Sequence, residues 1–379
     1  MEEKKPFVYN EFKYSEQGIE YPEKIKSPSH LFKYYSINFN SLDAFVNGYL
    51  FFSHPNQLND ILDCSSLLFN PESCTKELYD GIWKHFIREL HLNRNLVSDY
   101  QNAKEDNFTE LVLIINYWNF FHRGILSLTT NPHNKLMMSH YTFEKGFVLD
   151  FNPKKLVDFL EKKYSKENVN LYPINYVENL DKINYFENII DEISINEDNF
   201  LIHKLNNTIP LLCIASIKDI VWKYEDEWRI LLRKSNMGVA KKPTEFLKVD
   251  SSHIRINDRK INYDSDCLEK VILAPMFFNN HFFDEKKFDS NNRRVSYKLN
   301  KVNLKKDKIY EKYQKFLVKI GSTNMNKKIF IQDVELGEDG YGRICHKLDN
   351  IEYSNDFISF SILPKIYRFG VKPQSTLTL

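Results

Sequence analysis

WKYEDEWRILLR, residues 222–233, admits two readings. As a strand it sets Trp222, Tyr224, Trp228 and Ile230 on one face, with Lys223, Glu225, Glu227, Arg229 and Arg233 on the other. That is the two-residue alternation of a pleated chain. As a helix it gains a Glu225–Arg229 i,i+4 pair but divides its tryptophans between faces. The strand separates aromatics from charges more cleanly and is preferred. Such a strand needs neighbours, and LFKYY (31–35), YLFFS (49–53), GILSLTT (124–130), GFVLDF (146–151) and LEKVILAP (268–275) offer them.

Helices are fewer. SLDAFVNGYL (41–50) puts Leu42, Phe45 and Val46 on one face with Gly48 as a stop. A long helical region is expected near 71–122, and Asn152 with Pro153 is the cap and first-turn proline of another helix. Residues 170–216 read as helical in patches. Strict β-α-β alternation is lacking, which weighs against a doubly wound parallel sheet. The expected fold is therefore α+β, with a mixed, mostly antiparallel central sheet and a helical insertion. Residues 1–28, with Pro6, Pro22 and Pro28, read as an extended leader, and 29–299 as the main domain. From 300 to 379 one amphipathic helix ended by Gly321 and short strands suggest a small C-terminal α/β appendage.

Composition narrows the function classes. Lys and Arg number 52 against 51 Asp and Glu, so no whole-chain field favours nucleic acid or an anionic membrane, although a local basic groove is compatible. Hydrophobic residues at 42% are enough for a sizeable core. The 15% of aromatics are spread without period and read as core filling. Cys64, Cys74, Cys213, Cys267 and Cys345 are odd in number and form no C-x-x-C pair, which fits a reducing interior better than a disulfide scaffold. The amino terminus has no apolar signal-peptide run, and LVLIINYWNFF (111–121) is too short to span a bilayer. A cytoplasmic protein without membrane partners is expected.

Dinucleotide, P-loop, zincin and hydrolase-elbow motifs are all missing. His85 and His91 lack a third metal ligand nearby, and His133 and His140 flank a turn. Three clusters remain. The first joins Lys33 and Tyr34 to the loop holding His54, Asn56, Asn59 and Asp60; its alternative is a structural Asx turn. The second is Ser139, His140 and Tyr141, which suit ligand contact by hydrogen bonding and stacking, or else a buried aromatic corner. Ser139 and His140 are adjacent and on a strand would point oppositely, which excludes a nucleophile–base pair there. The third is Glu225, Asp226, Glu227 and Arg229 between two tryptophans. Neighbouring carboxylates in a cleft suit proton transfer or stabilising a developing cation, and on a half-exposed edge strand they make an ion-pair ladder.

Together the clusters resemble a bacterial family known as domain of unknown function 2971 (DUF2971). The resemblance rests on Lys33-Tyr34, Gly48, the Ser53, Pro55, Asn59, Asp60 loop, then Met137, Met138, Ser139, His140, Tyr141 and Gly146, then Trp222, Tyr224, Glu225, Glu227 and Arg229. Ile61 stands where the family has proline, and Met138 where it has tryptophan. The resemblance spans roughly 30–275.

The order of the clusters is also similar to that of ADP-ribosyltransferase-like toxins, without the first-strand His or Arg of that group. This similarity implies an NAD-dependent ADP-ribosyltransferase or NAD glycohydrolase of a bacterial defence or toxin system. Glu227 would stabilise an oxocarbenium-like ribose, Glu225 would position the acceptor, and His140 would bond a ribose hydroxyl. Lys33, Tyr34, Asn59, Asp60, Ser139, Tyr141 and Arg229 would hold NAD. Expected partners are a protein or nucleic-acid acceptor, a homo-oligomer or a neighbouring defence-system protein. The alternatives are a non-catalytic ligand-sensing or protein-binding module, and a metal-dependent nuclease built on Asp60, Glu225 and Glu227.

Overall fold

The computed structural model describes residues 7–367 apart from 61, 66–67, 91–96, 185, 189, 196–200, 207, 239–253, 292, 301–307, 338–339 and 355. In place of an extended leader, β1 (Phe7–Tyr9), β2 (Phe12–Ser15) and β3 (Gly18–Glu20) make an antiparallel meander. The reason is alternation: Phe12 and Tyr14 of β2 are both buried, and the Tyr14 hydroxyl lies 3.0 Å from Ser216 Oγ. Next come β4 (Leu31–Tyr35), α1 (Phe39–Asn47) and β5 (Tyr49–Phe51). The Asn38 side chain caps α1 by accepting from Ser41 N, and Gly48 ends it in the left-handed region at φ 66°.

The helical insertion consists of α2 (Lys76–Leu90), α3 (Tyr100–Glu105) and α4 (Thr109–Asn119). It leads to β6 (Arg123–Thr129), the short α5 (Lys135–Met137), a π-helical turn at Met138–Thr142, β7 (Phe147–Phe151) and α6 (Pro153–Tyr164), which Asn152 caps. Among the described residues of 170–216 helix is confined to two patches, a 3-10 turn at Phe186–Asn188 and the closing segment Thr208–Ser216, and strands take up more of the stretch. The strands are β8 (Val169–Pro173), β9 (Asn175–Val177), β10 (Ile190–Ile195) and β11 (Leu201–Asn206), and the closing helix is α7 (Thr208–Ser216). The chain continues through β12 (Ile217–Asp219), β13 (Glu227–Arg233), β14 (Lys260–Asn262), β15 (Leu268–Leu273), β16 (Phe283–Asp289) and β17 (Arg294–Leu299). Helix α8 (Lys308–Ile320) and strands β18 (Ile329–Gly337), β19 (Gly340–Tyr353) and β20 (Phe357–Tyr367) follow.

Eleven of these strands form one sheet in the order β16-β17-β20-β19-β18-β15-β7-β4-β6-β13-β8. Its pairs are antiparallel except β15–β18. Strands beyond residue 300 thus continue the central sheet, covering an edge of β15 that would otherwise offer unpaired backbone groups. Helix α8 lies on α1, with the Phe45 and Phe316 rings 4.6 Å apart.

One face of the sheet buries Leu42, Phe45, Leu156, Trp228, Ile230 and Phe316 together, so α1, α6 and α8 cover it. On the other face Ile125 and Leu231 pack with the insertion helices, α7 and the meander, while Phe32, Tyr34 and Val148 form a smaller cluster with Met138 and Ile272. β7, between β4 and β15, is buried at every position. Among the described residues no helix is long and apolar enough to cross a membrane. All five cysteines are buried and free.

Candidate functional site

β6 changes partner halfway along its length. Thr129 pairs with Phe32 of β4, the one register pair those strands share, whereas β4 pairs with β7 over five positions. Ile125 instead bridges Ser53, exchanging both backbone hydrogen bonds at 2.8 and 2.9 Å. Ser127 lies between the two, and its carbonyl accepts from Lys33 Nζ at 2.8 Å. The amine takes the place of a strand partner for this carbonyl. Alternation sets Lys33 opposite Tyr34, yet both line the cavity because the gap lets the lysine turn inward.

The opening holds a cavity of about 250 Å³. β13 sends Glu227 and Arg229 into it and Trp228 and Ile230 to the opposite core. Glu225 arrives differently from the strand reading. A 3-10 turn, Ile220–Glu225, precedes the strand, and Asp226 breaks the alternation in the left-handed region at φ 44°. Trp222 and Tyr224 therefore do not share a strand face with Trp228. Lys218, from β12, completes the charged floor.

The floor is a closed ion network. Arg229 is fully buried; its Nη1 donates to Asp63 Oδ1 at 2.7 Å and its Nη2 donates to Asp63 Oδ2. Nε donates to Glu227 Oε1 at 2.7 Å, and Nη1 also donates to the Ala215 carbonyl at 2.8 Å. Lys218 Nζ donates to Glu225 Oε2 at 2.5 Å and to Glu227 Oε2 at 3.1 Å. Burial opposes ionisation of Glu227, but Arg229 and Lys218 outweigh it and hold the carboxyl down at about 2. Burial pulls the Lys33 amine down to about 8, against the opposing pull of Glu227 and Glu225.

The π-helical turn positions Tyr141. Its hydroxyl donates to Glu225 Oε1 at 2.6 Å and accepts from Asn59 Nδ2 at 3.0 Å. Burial, then the Glu225 hydrogen bond, pushes its pKa up. Gly146 makes the turn possible, because a Cβ there would lie 1.9 Å from the Tyr35 carbonyl oxygen. Tyr34 is buried, its hydroxyl donating to the Asn131 carbonyl at 2.7 Å.

Lys33, Tyr34, Asn59, Tyr141, Glu225, Glu227 and Arg229 thus meet at one cavity. Ser139, His140 and Asp60 do not line it: the first two are exposed, and Asp60 closes an Asx turn by accepting from Leu62 N at 3.0 Å. The proposed metal set Asp60–Glu225–Glu227 is not assembled, since Lys218 and Arg229 occupy the carboxylates' inner sides. His133 lies against Gln332 while His140 is exposed, and His91 and Ile61 lie outside the described residues. Met138 is fully buried in the core, whereas its neighbour Met137 lines the cavity.

Sequence reasoning missed Asp63 and Lys218. Lys218 had a signal, being a lone cation that ends the buried run Ile209–Ile217. Such a lysine is costly to bury without partners. Asp63 stands in an unremarkable turn and had none.

Compared with curated proteins and with solved structures, the chain finds no match. A family model described as a protein of unknown function, DUF2971, matches residues 137–230, the stretch that carries Tyr141, Lys218, Glu225, Glu227 and Arg229.

Proposed function

We propose that the chain is a binding module for a small polar molecule of single-ring size, received between β4 and β6 and read by Lys33, Asn59 and Tyr141. The distribution of hydrogen bonds in the cavity carries this reading. Asp63, Glu225 and Glu227 are all bonded to Arg229 or Lys218, while among the described residues Lys33 Nζ donates to one carbonyl. An ammonium has three donors, so two remain for an acceptor oxygen on a ligand. Phe32, Leu58, Leu128 and Met137 supply apolar walls. The volume of about 250 Å³ lies below the roughly 300–1,000 Å³ of drug-sized sites. It suits one ring with a few polar substituents, and a dinucleotide would leave most of its length outside.

NAD⁺ cleavage in the manner of ADP-ribosyltransferases is the second reading, favoured by Glu227 facing the cavity with its carboxyl held well below the ordinary value by Arg229 and Lys218. Against it, both Glu227 oxygens accept from Arg229 and one also accepts from Lys218. Those cations cancel the field that an oxocarbenium-like ribose would use.

Calorimetric titration of the full chain with nicotinamide, nicotinamide riboside and NAD⁺ tests both readings. Binding of a one-ring probe that Lys33→Met weakens at least about tenfold supports the module, since a hydrogen bond to a charged donor contributes about that much. Binding indifferent to Lys33→Met, or no binding of any probe at millimolar concentration, contradicts it. Nicotinamide release from NAD⁺ that vanishes in Glu227→Gln would favour cleavage instead.

A further inference from the structure

We propose that His30, Asp150 and Glu269 bind a divalent transition-metal ion of the zinc or manganese kind, at a site separate from the ion network of the cavity. The donors come from the neighbouring strands β7 and β15 and from the residue before β4: Asp150 lies on β7, Glu269 on β15, and His30 immediately precedes β4. Their candidate ligand atoms all lie within 4.8 Å of one another. His30 Nδ1 is 2.9 Å from Asp150 Oδ1 and 3.2 Å from Glu269 Oε2. Donors bound to one ion at about 2.0–2.2 Å stand roughly 3 Å apart, so the spacing already suits a shared ion. One imidazole nitrogen with two carboxylate oxygens is a donor set that zinc and manganese accept.

The surroundings of the trio strengthen the case. The second oxygen of each carboxylate is held from outside it: Lys270 Nζ donates to Asp150 Oδ2 at 2.7 Å, and Asn152 Nδ2 donates to Glu269 Oε1 at 3.1 Å. That leaves Oδ1 and Oε2 turned toward His30, as outer partners orient the ligands of metal sites. Simple alternation would put Glu269 and Lys270 on opposite faces. The register between β15 and β7 shifts here, Leu268 pairing with Phe151 and Lys270 with Asp150. Glu269 is thus the extra residue of a bulge that brings it to the Asp150 side. The His30 and Glu269 side chains are 38% and 29% exposed, so water can complete the coordination. The His30 ring also stacks on Phe32, a wall of the cavity, at 6.1 Å between centroids.

A proton could occupy the same geometry, as a His30 imidazolium shared between two carboxylates, and metal titration separates the two. The full chain, stripped with EDTA, is titrated with zinc chloride by calorimetry, and zinc-soaked crystals are measured by anomalous scattering at the zinc edge. The expected result is one zinc per chain, an anomalous peak about 2.0–2.2 Å from His30 Nδ1, and affinity at least about tenfold weaker in His30→Ala and Glu269→Gln. Both variants are compared with wild type by metal-free melting temperature. If either fails to fold, the position of the wild-type peak decides. Absence of zinc, a peak elsewhere, or unchanged affinity in folded variants overturns the proposal. None of these outcomes depends on what the cavity binds.

Discussion

Arg229 grips Asp63 with both terminal nitrogens of its guanidinium across 166 residues of sequence. The pair ties β13 to the loop after Ser53, and so fixes the wall that faces β4 across the opening. Planar, bidentate geometry suits arginine and not lysine at this position. Removing one member of a buried ion pair leaves the other charge uncompensated, which costs about 3–5 kcal/mol. Arg229→Met and Asp63→Asn are each expected to lower unfolding stability by that order in urea titration. Arg229→Lys should fall between these variants and wild type.

Acid should loosen the same network. Glu227 is held down at about 2 in the folded chain against an ordinary value of 4.5. Its ionised form is therefore favoured by folding, and that contribution is complete above pH 4.5 and lost as pH falls toward 2. Urea midpoints measured from pH 6 to pH 2.5 should decline more steeply for wild type than for Glu227→Gln. Equal slopes would mean that Glu227 is not tied in this way.

Lys33 acts at the other end of the scale. With its amine at about 8 rather than 10.5, the folded chain releases this proton before the unfolded chain does. Stability attributable to Lys33 therefore rises between pH 8 and 10.5. Ligand binding should move the opposite way, weakening up to about tenfold per unit well above pH 8, because the neutral amine is a poorer partner for an acceptor oxygen. Calorimetry at several pH values should show this decline in wild type, with a flat profile in Lys33→Met.

Gly146→Ala tests the turn that delivers Tyr141. Its Cβ would meet the Tyr35 carbonyl oxygen at 1.9 Å, and a backbone atom cannot step aside as a flexible side chain does. The variant should lose stability by about 2 kcal/mol or more, within the range of overpacked sites. Weakened binding in whatever fraction remains folded is also expected. A melting temperature within one degree of wild type would mean that the turn is easily rebuilt.

Much of the sheet was legible because its strands obey simple periods. LFKYY is β4 from end to end, and Gly48 and Asn152 cap helices where their chemistry places them. The site was less legible at places where a period breaks. Asp226 adopts a left-handed conformation without being glycine, so Glu225 belongs to a turn rather than to β13. Lys33 turns into a gap that alternation alone does not reveal. The π-helical turn separates Tyr141, which lines the cavity, from exposed His140. The Arg229–Asp63 pair is a tertiary contact, and neither residue advertises the other.

Crystals of the full chain soaked with a set of one-ring polar compounds would test the central claim most directly. A bound compound should lie between β4 and β6, with an acceptor atom within about 3 Å of Lys33 Nζ and its ring against Phe32 or Met137. Compounds that settle elsewhere, while the opening holds only water, would contradict it.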